Sequence, residues 1–142
     1  MAQIISAQSK FTGGPAGKRD RFLFQAQDLL RRAQGCAAEA KWDEALEYAY
    51  QAGLRTAGAR VAVSAVAKRR RLPSSAWERL ALVSATDKEW AKEFKAYSRP
   101  RSRVATGLDD MPDEALVWSL LDLVARFIDA TEAEIGFGSL VA

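Results

Sequence analysis

Apolar residues recur at three- and four-residue steps along most of the chain, the mark of helices with one buried face, and no segment alternates long enough to predict a strand. Phe22, Ala26, Leu29, Leu30, Ala33 and Ala37 form the first stripe and predict a helix from about Arg19 to Ala40. A second helix is predicted from about Trp42 to Arg70. Ala45, Ala49, Ala52, Thr56, Ala59, Val63 and Val66 line one side of it; Leu46, Tyr50, Gly53, Ala57, Val61 and Ser64 line the adjacent side. Small residues over so broad a face let neighbouring axes approach closely, as the central helix of a bundle requires. Pro73 closes the segment.

Ser75 and Glu78 have the spacing of a capping box and open a short helix to about Val83, with Trp77, Leu80 and Ala81 inward. Thr86 and Glu89 repeat that spacing ahead of a helix with Trp90, Phe94 and Tyr97 on one face. Pro100 is expected to kink or split it, and Gly107 to stop it. Asp109, Asp110 and Pro112 lead into a final helix to about Glu134, stopped by Gly136. It has two apolar rows, Leu116, Leu120, Leu123 and Phe127 beside Val117, Leu121, Val124 and Ile128. An arc that wide suits a central helix or one shared with a second subunit. Val117, Leu121, Val124, Ile128 and Phe137 are therefore candidate contacts of a symmetric homodimer.

Five helices with short connections predict an all-α fold, an antiparallel up-and-down bundle over residues 19–135. Residues 1–18, with Gly13-Gly14-Pro15, are expected to be a flexible tail, and residues 136–142 an apolar C-terminal tail. At 142 residues the chain is about one domain. Its single cysteine, Cys36, allows no intrachain disulfide and suits a reducing cytoplasm. Cys36 sits in an Ala-rich helical run and is expected to be an inert, partly buried thiol. No apolar run approaches the roughly 20 residues that cross a bilayer, and no signal peptide is visible.

The net charge of +3 conceals a gradient: +7 over residues 1–71, +3 over 72–108 and −7 over 109–142. One account is internal complementation, an acidic last helix lying against basic ones. The other is a basic surface for a polyanion. Two clusters are the candidates for such a surface: Lys68, Arg69, Arg70 and Arg71, and Arg99, Arg101 and Arg103. If the fold brings them together they make one patch; a long fourth helix would instead carry the second cluster to the opposite pole. The first cluster also suits the negative end of the second helix.

The chain contains no histidine. That removes serine–histidine triads, imidazole bases and histidine metal ligands. There is no phosphate-cradling loop and no dinucleotide fingerprint. Neither a catalytic residue nor a cofactor nor a metal site is expected. Asp122 and Asp129 share one face of the final helix and are candidates for pairing with cations of another helix.

The Ala-rich helix ending AVAKRRR, the Pro-Ser loop, SAWERLALV and EWAKEFKAYSRPRSRVATGL together resemble an actinobacterial branch of the HEPN superfamily, over roughly residues 19–134. The resemblance implies an all-α up-and-down bundle, often dimeric. Ribonuclease members of the superfamily use an Arg followed a few residues later by a His, and this chain lacks the His, so no catalytic residue carries over. The expectation is a non-catalytic binding or interaction module, with a protein partner, RNA or a nucleotide as ligand. The alternative is a degenerate ribonuclease working through the basic clusters.

Overall fold

The computed structural model describes residues 13–141, with side chains through residue 136. Its elements are α1 (Gly14–Ala38), α2 (Trp42–Ala62), a 3-10 turn (Ala65–Lys68), α3 (Ala76–Ala81), α4 (Ala85–Ala105) and α5 (Glu114–Val141). No strand occurs among the described residues. Helix α2 is central and packs on all four other helices.

Side-chain contacts give the directions. Glu47, Tyr50 and Arg60 of α2 meet Arg101, Ser98 and Asp87 of α4, so the two run antiparallel. Trp42 meets Trp118 and Arg60 meets Thr131, so α5 runs parallel to α2. Chain direction thus alternates through α1, α2, α4 and α5, and α3 is a short helix inserted in the return from α2 to α4.

The small residues of α2 do what their size predicts. Ala45, Ala49, Ala52 and Ala59 are completely buried, and Gly53 admits the ring of Phe94. That ring lies parallel to Trp77, with centroids 4.6 Å apart, and 5.1 Å from Phe127. Trp77 Nε1 donates to the Tyr50 hydroxyl at 2.7 Å, which also shares a hydrogen bond with Ser98. A Cβ at Gly53 would stand 2.7 Å from the Phe94 ring, which has no room to retreat. A Cβ at Gly58 would stand 2.9 Å from the ring of Phe22, which is only half-buried. Gly53→Ala is therefore expected to destabilise by about 1–3 kcal/mol through overpacking. Gly58→Ala is expected to fall within about 1 kcal/mol of the parent, since the helical gain over Gly offsets a small ring shift. Urea unfolding of both variants checks the contrast.

Several expected boundaries move. Helix α1 begins at Gly14, so residues 14–18 are helical rather than tail; residues 1–12 lie outside the described residues. Helix α2 stops at Ala62 instead of Arg70. Ser64 turns back on the chain, its hydroxyl and its backbone N–H both donating to the Val61 carbonyl, and competes with the helical ladder. Lys68 to Arg71 therefore follow the helix rather than occupy its last turn, where Arg60 sits. Ser75 caps α3 as expected, accepting from Glu78 N. Helix α4 is capped by Ser84, not Thr86: Ser84 Oγ accepts from Asp87 N at 3.0 Å and donates to Asp87 Oδ2 at 2.7 Å.

Pro100 does not split α4. The proline leaves Ala96 without its helical N–H partner, and Ala96 is on the exposed side, where water can take that bond. Gly107 ends the helix as expected: φ is +78°, and Leu108 and Gly107 N–H groups bond back to the Arg103 and Val104 carbonyls. The end of α1 has the same bonding with Ala40 in the left-handed region, at φ +59°. Ala40→Gly is accordingly expected to stabilise by about 1 kcal/mol, read as a higher urea midpoint. Gly136 lacks a positive φ and does not stop α5, which continues to Val141. The expected tail at 136–141 is helical backbone; its side chains and Ala142 lie outside the description.

The candidate dimer residues on α5 are core. Val117 and Val124 are wholly buried within one chain, Ile128 and Leu121 nearly so. The second apolar row faces α2 and its neighbours, so the wide arc reports a central position; the Phe137 side chain lies outside the described residues.

Candidate functional site

At the pole where α2 ends, two clefts meet along Val63 and Ser64. The first, about 450 Å³, has apolar walls from Val63, Val83 and Ile135 and a polar floor of Arg60, Asp87 and Thr131, with Glu134 and Arg19 at its sides. The second, about 510 Å³, lies between the start of α1 and the 3-10 turn; Lys18 and Lys68 are its charged residues.

Arg60 organises the first cleft. It is 7% exposed, on a buried helix face otherwise without charge, and its guanidinium reaches two other helices. Nε pairs with Asp87 Oδ1, Nη1 donates to Thr131 Oγ1 at 2.9 Å, and Nη2 to Glu134 Oε1 at 3.0 Å. The guanidinium also lies over the Phe127 ring, 5.5 Å from its centre. The Thr131 hydroxyl itself donates a hydrogen bond to the Phe127 carbonyl. No buried side-chain polar atom among the described residues lacks a partner. A buried charge is tolerated only when paired and hydrogen-bonded, and here the fold supplies a partner to each guanidinium nitrogen. The network ties α2, α4 and α5 together and leaves no buried donor facing the cleft unpaired.

The seven candidate cations are divided. Arg101 makes a bidentate pair with Glu47, at 2.8 and 2.7 Å, and lies over the Tyr50 ring. Arg103 makes a bidentate pair with Asp109. Both are thereby neutralised near the start of α2. Lys68, Arg69, Arg70 and Arg71 are exposed without an ion pair among the described residues, and so is Arg99. Between Glu47 and Ala62, α2 alone places about 22 Å between the Arg101 pair and the end where Lys68 begins the basic run. Asp122 pairs with Arg126 on its own helix, one turn on, rather than with another helix. Internal complementation does occur between Glu134 of α5 and Arg60.

The Arg101 pair gives a pH dependence. Hydrogen bonding from Arg101 holds the Glu47 carboxyl below its usual range, against opposing burial. A carboxyl depressed by folding adds stability that is complete above its unfolded pKa and is lost as pH falls through the lower folded value. Below the ordinary 4.5 of a Glu carboxyl, the parent is therefore expected to lose this support, and Glu47→Gln to lose less. Urea midpoints of both proteins at about pH 7 and about pH 3.5 measure the difference. The Cys36 thiol is half-buried, and its pKa is raised, first by burial and then by Glu44, which keeps it a poor nucleophile.

Arg60, Asp87, Thr131 and Glu134 were not apparent as a group from sequence. Only one local signal existed, a charge at an apolar-face position of an Ala-rich helix. The partners lie 27, 71 and 74 residues away, beyond any motif spacing.

A family model described as SAV_6107-like HEPN matches residues 36–132, more than half of the chain. The matched span holds α2, α3, α4 and most of α5, including Arg60, Asp87 and Thr131. No curated protein and no solved structure matches the chain.

Proposed function

The chain belongs to the SAV_6107-like HEPN family, and from that premise we propose that it is a non-catalytic binding module, a cytoplasmic homodimer that acts through contacts rather than turnover. One observation carries this reading: Arg60, the buried cation at the floor of the first cleft, has each of its three guanidinium nitrogens bonded to Asp87, Thr131 or Glu134. A group so tied holds helices together and is not poised to polarise a substrate. The absence of histidine agrees, since the Arg…His pair of ribonuclease members cannot form. HEPN domains often dimerise, and a lone half-buried cysteine suits a reducing compartment.

The test is an RNA-cleavage assay on the purified protein across several divalent-metal conditions. The expected result is no turnover above background. Turnover that disappears in Arg99→Ala or Arg60→Met would overturn the reading and favour a degenerate ribonuclease.

A second reading has its own observation, the exposed and unpaired run Lys68 to Arg71. It makes the protein an RNA- or nucleotide-binding module. Affinity for RNA would then fall steeply with salt as counterions are released. Arg69→Ala, Arg70→Ala and Arg71→Ala together would weaken it for all sequences alike, because phosphate contacts carry no base information.

A further inference from the structure

The two ends of α2 carry different balances of free charge. One pole contains the start of α2, the end of α4 and the start of α5, joined by the Trp42–Trp118 contact, 6.0 Å between ring centres, and by a small cleft that Glu44 and Ala105 both line. Residues 39–47 and 101–114 bring eight carboxylates and three cations there. All three cations are already paired, Lys41 with Glu39, Arg101 with Glu47 and Arg103 with Asp109. Asp43, Glu44, Asp110, Asp113 and Glu114 remain without a cation among the described residues. Exposed apolar side chains accompany them: Leu108 at 68%, Met111 at 50% and Trp118 at 45%.

The other end of α2 has the opposite sign. Lys18 and Lys68 flank one cleft that has no carboxylate in its lining, and Arg69, Arg70 and Arg71 continue from it, all exposed. Of the carboxylates close to that end, Asp20, Asp87 and Glu134 are paired with Arg19 and Arg60 and Glu132 accepts from Gln27, while Glu89 has no cation among the described residues. Helix α2 keeps the two ends about 30 Å apart, well beyond the screening length at physiological salt, so neither neutralises the other within one chain.

We propose that the acidic pole around Trp118 docks the basic run Lys68–Arg71 of a second copy of this chain, so that a two-fold pair makes the contact twice. This rests on the homodimer reading above and names its surfaces. Opposite potentials set orientation and encounter rate, and the exposed Trp118 supplies an aromatic anchor at the centre of the contact. The inward rows of α5 are unavailable to a partner, whereas these two surfaces are open.

Sedimentation velocity on the full chain at micromolar concentration tests it. A dimer is expected at about 50 mM salt, weakening roughly tenfold or more in affinity by about 500 mM as the charges are screened. One variant carries Arg69→Glu, Arg70→Glu and Arg71→Glu; the other carries Asp110→Lys, Asp113→Lys and Glu114→Lys. Each alone is expected to be monomeric. Mixed, they are expected to form a heterodimer, because both contacts regain opposite signs. Circular dichroism confirms that each folds, and Asp110→Asn with Asp113→Asn gives a milder version of the second. A dimer untouched by either reversal overturns the pole contact and leaves the homodimer standing. A parent that is monomeric at low salt overturns both.

Discussion

Replacing Asp87 by Ala is expected to lower the unfolding free energy by about 3–5 kcal/mol, because it strands the buried Arg60 guanidinium. Asp87 is 3% exposed and accepts from Arg60 on one carboxylate oxygen and from Ser84 on the other. Its loss removes the closest counter-charge of Arg60 and the acceptor that orients the Ser84 hydroxyl, while the backbone cap bond from Asp87 N to Ser84 Oγ remains. Glu134 reaches Arg60 too, but its side chain is 59% exposed and already hydrated, so it compensates little. The asymmetry between breaking a pair and replacing it supplies a second measurement. Arg60→Met with Asp87→Leu removes both charges and keeps similar volume, and is expected to be more stable than Asp87→Ala alone. Denaturant unfolding of the two singles and the double gives the coupling. A loss below about 1 kcal/mol for Asp87→Ala would show that water reaches Arg60 through the adjacent cleft and solvates it.

The second large effect is expected at Phe94. Phe94→Ala is predicted to cost about 3–5 kcal/mol, the range for deleting a buried aromatic and leaving a cavity. The ring is completely buried between Trp77 and Phe127 and fills the notch at Gly53, so three helices lose contact at once. Relaxation into the space is limited, since Trp77 is held by its hydrogen bond to Tyr50. The same geometry predicts a rescue: Gly53→Ala, harmful in the parent, is expected to be neutral or stabilising when combined with Phe94→Ala, because the Cβ then has space and the helical preference for Ala remains. A double-mutant cycle by thermal unfolding reads the sign of that coupling.

Helix existence was legible from the chain because periodicity is a local property. The stripe from Phe22 to Ala37, the Trp90–Phe94–Tyr97 face and the two rows of α5 each require only that a helix repeat every 3.6 residues. Ser75 and Gly107 were legible for a similar reason: capping and left-handed stops involve neighbours within a few residues. The departures arise where local signals compete or tertiary contacts decide. Thr86 and Ser84 both offer hydroxyls near the start of α4; Ser84 takes the cap, bonded both ways to Asp87, whose carboxylate Arg60 also holds from another helix. A kink or split is expected at Pro100 because the lost hydrogen bond is visible in the sequence, whereas the exposure of Ala96, which lets the helix run on unsplit, is not.

By itself, then, the sequence determined the all-α class, the helix order, the small-residue face of α2 and the removal of histidine chemistry. Tertiary structure alone decided whether the wide arc of α5 faced inward or toward a partner, and which carboxylate neutralised which cation. Charge is long-ranged along no sequence coordinate: Arg60 and Glu134 are 74 residues apart yet in contact, while Lys68 and Arg101 share a sign and lie toward opposite ends of one helix. The antiparallel return of α4 along α2 brought Arg101 to Glu47 and left Lys68 to Arg71 exposed. Pairing follows from packing directions, and those are fixed only when the apolar faces of all the helices are buried together.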